Sequence, residues 1–292
     1  MTDRRRLNPP PGGTSAPIFT PHSTSKPSRT RDPSTPRQIF LRTGVVPSAS
    51  GSAYYELAPT AASTSFATTS SNLKLTVTVH GPRPLPRQTP YSSTMLLNTH
   101  VKFAPFATKV RRGYVRDAVE RDLGAHLETA LRGVILAERF PKSACDVVVT
   151  VLEGEDEEEG RGGVGGVGVM GVLAGCITAA SAALVDAGID CVDLVAGGVA
   201  GLAKGELVVD PCSSEHEGLE AAVVLGYLQS RDEITELWVK GNVGKNPEAL
   251  VDKAVEAGQL SRVVLAAALR EAVEQKLQDG PEEANSASKE PV

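Results

Sequence analysis

None of the four cysteines of this 292-residue sequence, Cys145, Cys176, Cys191 and Cys212, stands in a C-x-x-C pair. That removes the usual metal-clip and dithiol spacings and reads as reduced thiols of an intracellular protein, with no metal site and no cofactor expected. No apolar signal-peptide core opens the chain and no 18-residue membrane span is expected, so there is no membrane partner. A net positive charge is also missing where a general polyanion binder needs one. Residues 1–37 carry +5 and the remainder −10, for −5 overall. Nucleic-acid contact is therefore local or supplied by partners.

What is present divides by texture. Residues 1–37 are rich in Pro, Ser and Thr without apolar periodicity, and read as a disordered basic tail. The run Arg4-Arg5-Arg6 is either solvated charge or a targeting or RNA-contacting element. Residues 38–277 form the expected folded domain, and 278–292 a polar tail. Within the domain, "QIFLRTGVV", "SAYYELAP", "NLKLTVTVHGP" and "STMLLNTHVKF" predict four strands. Leu73, Leu75, Val77 and Val79 alternate with polar residues, as on a sheet with one buried face. Val115, Val119, Leu123, Leu127, Leu131 and Ile135 recur every four residues and predict an amphipathic helix from Tyr114 to Arg139, stopped by Pro141. "CDVVVTVL" follows as a buried strand. After an acidic and glycine-rich insertion at 153–171, "VLAGCITAASAALVDAG" predicts a helix whose small residues allow close packing. A hairpin around Ala203-Lys204-Gly205, a second strand pair, and a helix capped by Asn246 with Pro247 in its first turn and running to about Leu277 complete the domain. The order is four strands, helix, strand, helix, four strands, helix, an α+β layout rather than alternating βαβ units.

The insertion raises the question of nucleotide binding. A phosphate-cradling Walker loop needs a closing Lys-Ser/Thr, because the ammonium reaches the terminal phosphates and the hydroxyl holds Mg²⁺. No such pair is present. "GVGVMG" at 166–171 does fit G-x-G-x-x-G, but the acidic run Glu153–Glu159 breaks the required strand-turn-helix unit and repels a pyrophosphate. A surface insertion is the expected reading.

At "RFPKSACDVVVTVL", "AALVDAGIDCVDLVAGGVAGLAKGELVVDP" and "GPRPLP" the chain resembles the RNase PH family of phosphorolytic exoribonucleases, in the branch that builds the six-subunit ring of the eukaryotic RNA exosome. The resemblance covers about residues 37–276, and "DRRRLNPP" is similar to the opening of one particular ring subunit. It implies an RNase PH-like fold (ribosomal protein S5 domain 2-like), with mixed sheets packed against helices. The implied reaction is attack of inorganic phosphate on the 3′-terminal phosphodiester of RNA, releasing a nucleoside diphosphate. Such chemistry needs a cation to hold phosphate and carboxylates for protons or a metal.

Position by position, the resemblance implies loss of that machinery. The phosphate-holding arginine of active members falls on Leu173, and the nearest upstream arginine, Arg161, lies in the insertion. The expected Asp, acid pair and further Asp read Asp210, then Glu215 and His216, then Ala222. The paired arginines at the start of the long helix fall near Ala118-Val119, with Arg111, Arg112 and Arg116 just upstream to take over RNA contact. Arg83 and Arg87 lie in a loop that faces the central channel in ring members, where basic side chains bind RNA backbone without reading sequence.

Plainer roles stand beside these. Asp210, before Pro211, is either a retained ligand or a turn residue. His216 is either an acid-base group or a solvated loop histidine. Trp238 either stacks on a base or packs in the core or an interface. The implied function is a non-catalytic ring subunit, in nucleus, nucleolus and cytoplasm, whose partners are other RNase PH-like ring subunits, RNA-binding cap proteins and RNA in the central channel. The alternatives are an active phosphate-dependent 3′-to-5′ exoribonuclease and a free-standing RNA-binding adaptor.

Overall fold

Alternating apolar residues build the first layer. In the computed structural model, which describes residues 29, 31–58, 73–86, 88–108, 111–154, 166–212, 216, 219–244 and 246–286, strands β1 (Ile39–Thr43), β2 (Gly51–Leu57), β3 (Leu73–Pro84), β4 (Leu96–Phe103) and β5 (Ser143–Glu153) form one sheet in the order β1-β2-β3-β5-β4. Leu73, Leu75, Val77 and Val79 are fully buried, as their spacing predicts. Pairing is antiparallel except between β4 and β5. The second sheet is antiparallel throughout, in the order β7-β6-β8-β9, from β6 (Val195–Ala203), β7 (Glu206–Val209), β8 (Leu219–Leu228) and β9 (Glu233–Gly241). The hairpin β6–β7 turns through Lys204 and Gly205, both at positive φ (51° and 83°), as a two-residue turn matched to strand twist demands.

Helix α2 (Val167–Asp186) lies between the sheets. Against expectation it is long and apolar enough to cross a membrane, yet 94% of that stretch is buried inside the protein, so it is a core helix. Small residues set the spacing. A Cβ on Gly197 of β6 would stand 2.2 Å from the Ala174 carbonyl oxygen, and one on Gly51 of β2 would stand 2.3 Å from that of Ala183. Helix α3 (Pro247–Ser286) covers the outer face of the second sheet, meeting β6 just as closely at Gly198. The short helix α1 (Ala118–Arg132) packs along β4 and touches β9.

Three boundaries differ from the sequence reading. Helix α1 starts at Ala118, not Tyr114, because Glu120 reaches back to accept the Asp117 amide at 3.0 Å and fixes the first turn there; past Gly133 only a 3₁₀ turn at Ala137–Arg139 follows. Helix α2 starts at Val167, so most of the G-x-G-x-x-G stretch is helical and only Gly166, at φ 89°, precedes it. Residues 155–165 lie outside the described residues. Helix α3 continues nine residues beyond Leu277, to Ser286.

Candidate functional site

The hairpin β6–β7 delivers its last side chain, Asp210, to the end of the second sheet. Asp210 adopts φ 51°, a conformation that short polar side chains tolerate, and its amide donates to the Val199 carbonyl at 2.9 Å. Its carboxylate is covered by the segment just before β1. Arg37 donates from its backbone amide (2.9 Å) and Nε (2.8 Å) to Oδ2, and from Nη2 to Oδ1 (2.7 Å). Arg31 adds Nη1 to Oδ2 at 2.9 Å, and its Nη2 donates to the Asp210 carbonyl at 2.8 Å. Arg29 reaches the same carbonyl, and Val209 donates to the Pro33 carbonyl at 2.8 Å, so the segment straps the free edge of β7. The Arg37 and Asp210 side chains are only 2% and 14% exposed.

Burial alone raises the Asp210 pKa. The guanidinium of Arg37 first, then its hydrogen bonds and Arg31, outweigh that and hold the carboxyl well below the usual carboxylate range. A carboxylate so pinned is neither a proton acceptor at neutral pH nor an open metal ligand. Asp210 is thus an anchor. Residues 31–37, expected to belong to a disordered tail, are ordered by that ion pairing.

The other positions to which the resemblance assigns site residues are scattered or closed. Leu173 is fully buried in α2, and Ala222, paired with Gly201 and Lys240 on β8, is also fully buried; both belong to the main apolar core. His216 is half-buried, and Glu215 lies outside the described residues.

The basic candidates form a row. Asp146 on β5 binds Arg83 and accepts from Asn98 Nδ2 at 2.8 Å. Two residues along the same face of β4, about 7 Å away, Arg116 Nη1 lies 2.9 Å from His100 Nδ1. Burial and then the Arg116 charge push the His100 pKa down, which keeps the ring neutral and able to accept. Two residues further, Lys102 Nζ bonds both Glu120 oxygens (3.0 and 2.9 Å) and the carbonyls of Gly113 (3.0 Å) and Val115 (3.1 Å). Glu120 is buried, and the Phe103 amide also donates to it. Burial raises its pKa, but the Phe103 amide, Lys102 and the Asp117 amide together hold it below its ordinary value. This lock fixes the loop that carries the arginines. Arg112 lies over the Phe103 ring at 4.6 Å, and Arg111 is exposed. Arg83 and Arg116 are thereby brought onto one sheet face, whereas Arg87 lies outside the described residues. Trp238 stacks on His126 at 4.7 Å and 15°, with His126 Nδ1 2.8 Å from Glu236, and packs against the main core.

Sequence reading missed Arg31, Arg37, Lys102 and Glu120. The spacing Asp117-x-x-Glu120 was a visible helix-start signal. The strap had no local signal, since its partner lies more than 170 residues away.

Residues 35–190 match the RNase PH model, described as 3′ exoribonuclease family, domain 1. The chain is 49% identical over 288 residues to exosome complex component MTR3 of Chaetomium thermophilum, covering 94% of this chain and 100% of that protein. It is 30% identical over 274 residues to exosome complex component mtr3 of Schizosaccharomyces pombe, covering 92% and 96%. Exosome complex component Rrp41 of Pyrococcus abyssi is 31% identical over 226 residues, covering 77% and 78%. The crystal structure of rice Rrp46 shares the fold, with a TM-score of 0.65 at 18% identity, over 82% of this chain and 98% of that one. On these matches, and on a strand and helix order that agrees with them, the chain belongs to the RNase PH family of 3′ exoribonucleases.

Proposed function

We propose that this protein is a non-catalytic RNase PH-like subunit of an exosome ring, acting in 3′-to-5′ RNA processing and degradation by completing the ring and passing RNA to a nuclease elsewhere in the complex. The observation that carries the reading is the state of Asp210. The acid that the resemblance aligns with catalytic machinery is saturated by arginines of its own chain, while Leu173 and Ala222 fill the core. No group remains at those positions to hold phosphate.

Assembly has a physical basis in β9. It is an edge strand of the second sheet, and Ile234, Leu237 and Val239 are 41–46% exposed. Such an edge calls for a covering neighbour, and we assign it to another ring subunit, with RNA-binding cap proteins as further partners. Arg83, Arg116 and Arg111 contact RNA phosphates in the channel, with no sequence reading. The complex works in nucleus, nucleolus and cytoplasm.

The test is phosphorolysis by this chain reconstituted with its ring neighbours. With 3′-labelled RNA and inorganic phosphate, no nucleoside diphosphate attributable to this subunit is expected. Release that survives inactivation of every other subunit's site overturns the reading, as does a native mass of a lone 30.6 kDa chain from its own cells.

A further inference from the structure

The strap over β7 carries a hydroxyl that the anchoring of Asp210 does not use. Thr-Pro pairs occur at Thr20, Thr35 and Thr89. Thr20 lies outside the described residues and Thr89 is half-buried, whereas Thr35 is exposed and followed by Pro36. Thr35 Oγ1 donates to the Asp32 carbonyl at 3.0 Å, a neutral tether that a competing enzyme can displace. The Arg29 guanidinium lies against the same turn. Its Nη2 donates to the carbonyls of Asp32 (3.0 Å) and Thr35 (3.1 Å), and its Nη1 to that of Asp210 (3.4 Å). Ser34 beside it differs on both counts: Lys253 Nζ holds its hydroxyl at 2.8 Å, and no proline follows.

We propose that Thr35 is a phosphorylation site for a proline-directed Ser/Thr protein kinase, and that Arg29 captures the phosphate and tightens the strap across β7. In the transfer, Thr35 Oγ1 attacks the γ-phosphorus of ATP. The new O–P bond forms as the bond to the β,γ-bridging oxygen breaks, ADP leaves, and the hydroxyl proton passes to the kinase's catalytic base. The product carries a charge of roughly −1.5 to −2 at neutral pH and three strong acceptor oxygens. An arginine bonded to carbonyl oxygens gains by turning to such a group, because charge-assisted hydrogen bonds are about twice as strong as neutral ones. Nη2 turns from the Asp32 and Thr35 carbonyls to the phosphate while Nη1 stays on the Asp210 carbonyl, so the gain falls on the contact between the strap and β7.

The experiment treats the full chain, in its purified complex, with a proline-directed kinase and ATP, maps the phosphate by mass spectrometry, and follows hydrogen exchange of the segment 31–38. Phosphate is expected on Thr35 and absent in Thr35→Ala. Exchange of the segment is expected to slow on the order of tenfold. Arg29→Ala is expected to be phosphorylated equally but to show no slowing. Failure to modify Thr35, when the same kinase modifies a peptide of residues 31–38, overturns the site. Modification with unchanged or faster exchange, or slowing that survives Arg29→Ala, overturns the capture.

Discussion

Replacing Asp210 by Asn tests whether this acid is an anchor. The substitution keeps the side chain's size and one acceptor oxygen but removes the charge that faces the Arg37 and Arg31 side chains, which are 2% and 18% exposed. Breaking a buried pair from one side costs ~3–5 kcal/mol, a large fraction of the ~5–15 kcal/mol that holds a domain folded. Urea unfolding followed by the single tryptophan, Trp238, measures it. The pH dependence has a fixed sign. A carboxyl whose folded pKa is depressed stabilises the protein above its unfolded pKa of about 4, and that stability is lost as pH falls toward the folded value. The deficit of Asp210→Asn is therefore flat from about pH 5 to 8 and shrinks only below about pH 4. A double-mutant cycle with Arg37→Gln should return a coupling of at least ~2 kcal/mol. A deficit under ~1 kcal/mol, or one that grows in acid, would refute the anchor.

Other consequences are as direct. Glu120→Gln, which uncouples Lys102 from the 111–116 loop, should cost ~2 kcal/mol at neutral pH and speed tryptic cleavage after Arg111 and Arg112; since the Glu120 pKa is also depressed, the difference narrows below about pH 4. Gly197→Ala places a methyl 2.2 Å from the Ala174 carbonyl oxygen, and thermal unfolding should register a loss of ~3 kcal/mol or more. Arg83→Ala and Arg116→Ala, in the assembled complex, should weaken RNA binding alike for all sequences and each flatten the slope of log affinity against log salt by ~0.7. Unchanged slopes would remove these side chains from the RNA path.

Periodic segments were legible because their cause is local. The alternation from Leu73 to Val79, the small residues of "AGCITAASAAL" and the Lys204-Gly205 turn each specify their own geometry, and element order followed. The errors came where a longer-range effect won. Val115 and Val119 continue a four-residue repeat across Asp117, but Lys102 of β4 donates to the Gly113 and Val115 carbonyls and the Asp117 amide donates to Glu120, so the helix begins only at Ala118. Glycines 168 and 171 looked like loop residues, since each costs about 1 kcal/mol in a helix, yet both are buried within α2 between two sheets. At the candidate site, identities at Leu173, Asp210 and Ala222 were readable, but the arginines gripping Asp210 were not, because ion pairing across the chain leaves no periodic trace.

The burial of Leu173 bears on how the subunit earns its place in an assembly. A charged group held ready for catalysis is a standing cost to the fold, and function is often kept at the expense of stability. A fully buried leucine at that position contributes ~2 kcal/mol from removal of apolar surface from water. On the function proposed above, Leu173 gives up a reactive position for cohesion, which suits a subunit whose task is to stay folded within an assembly.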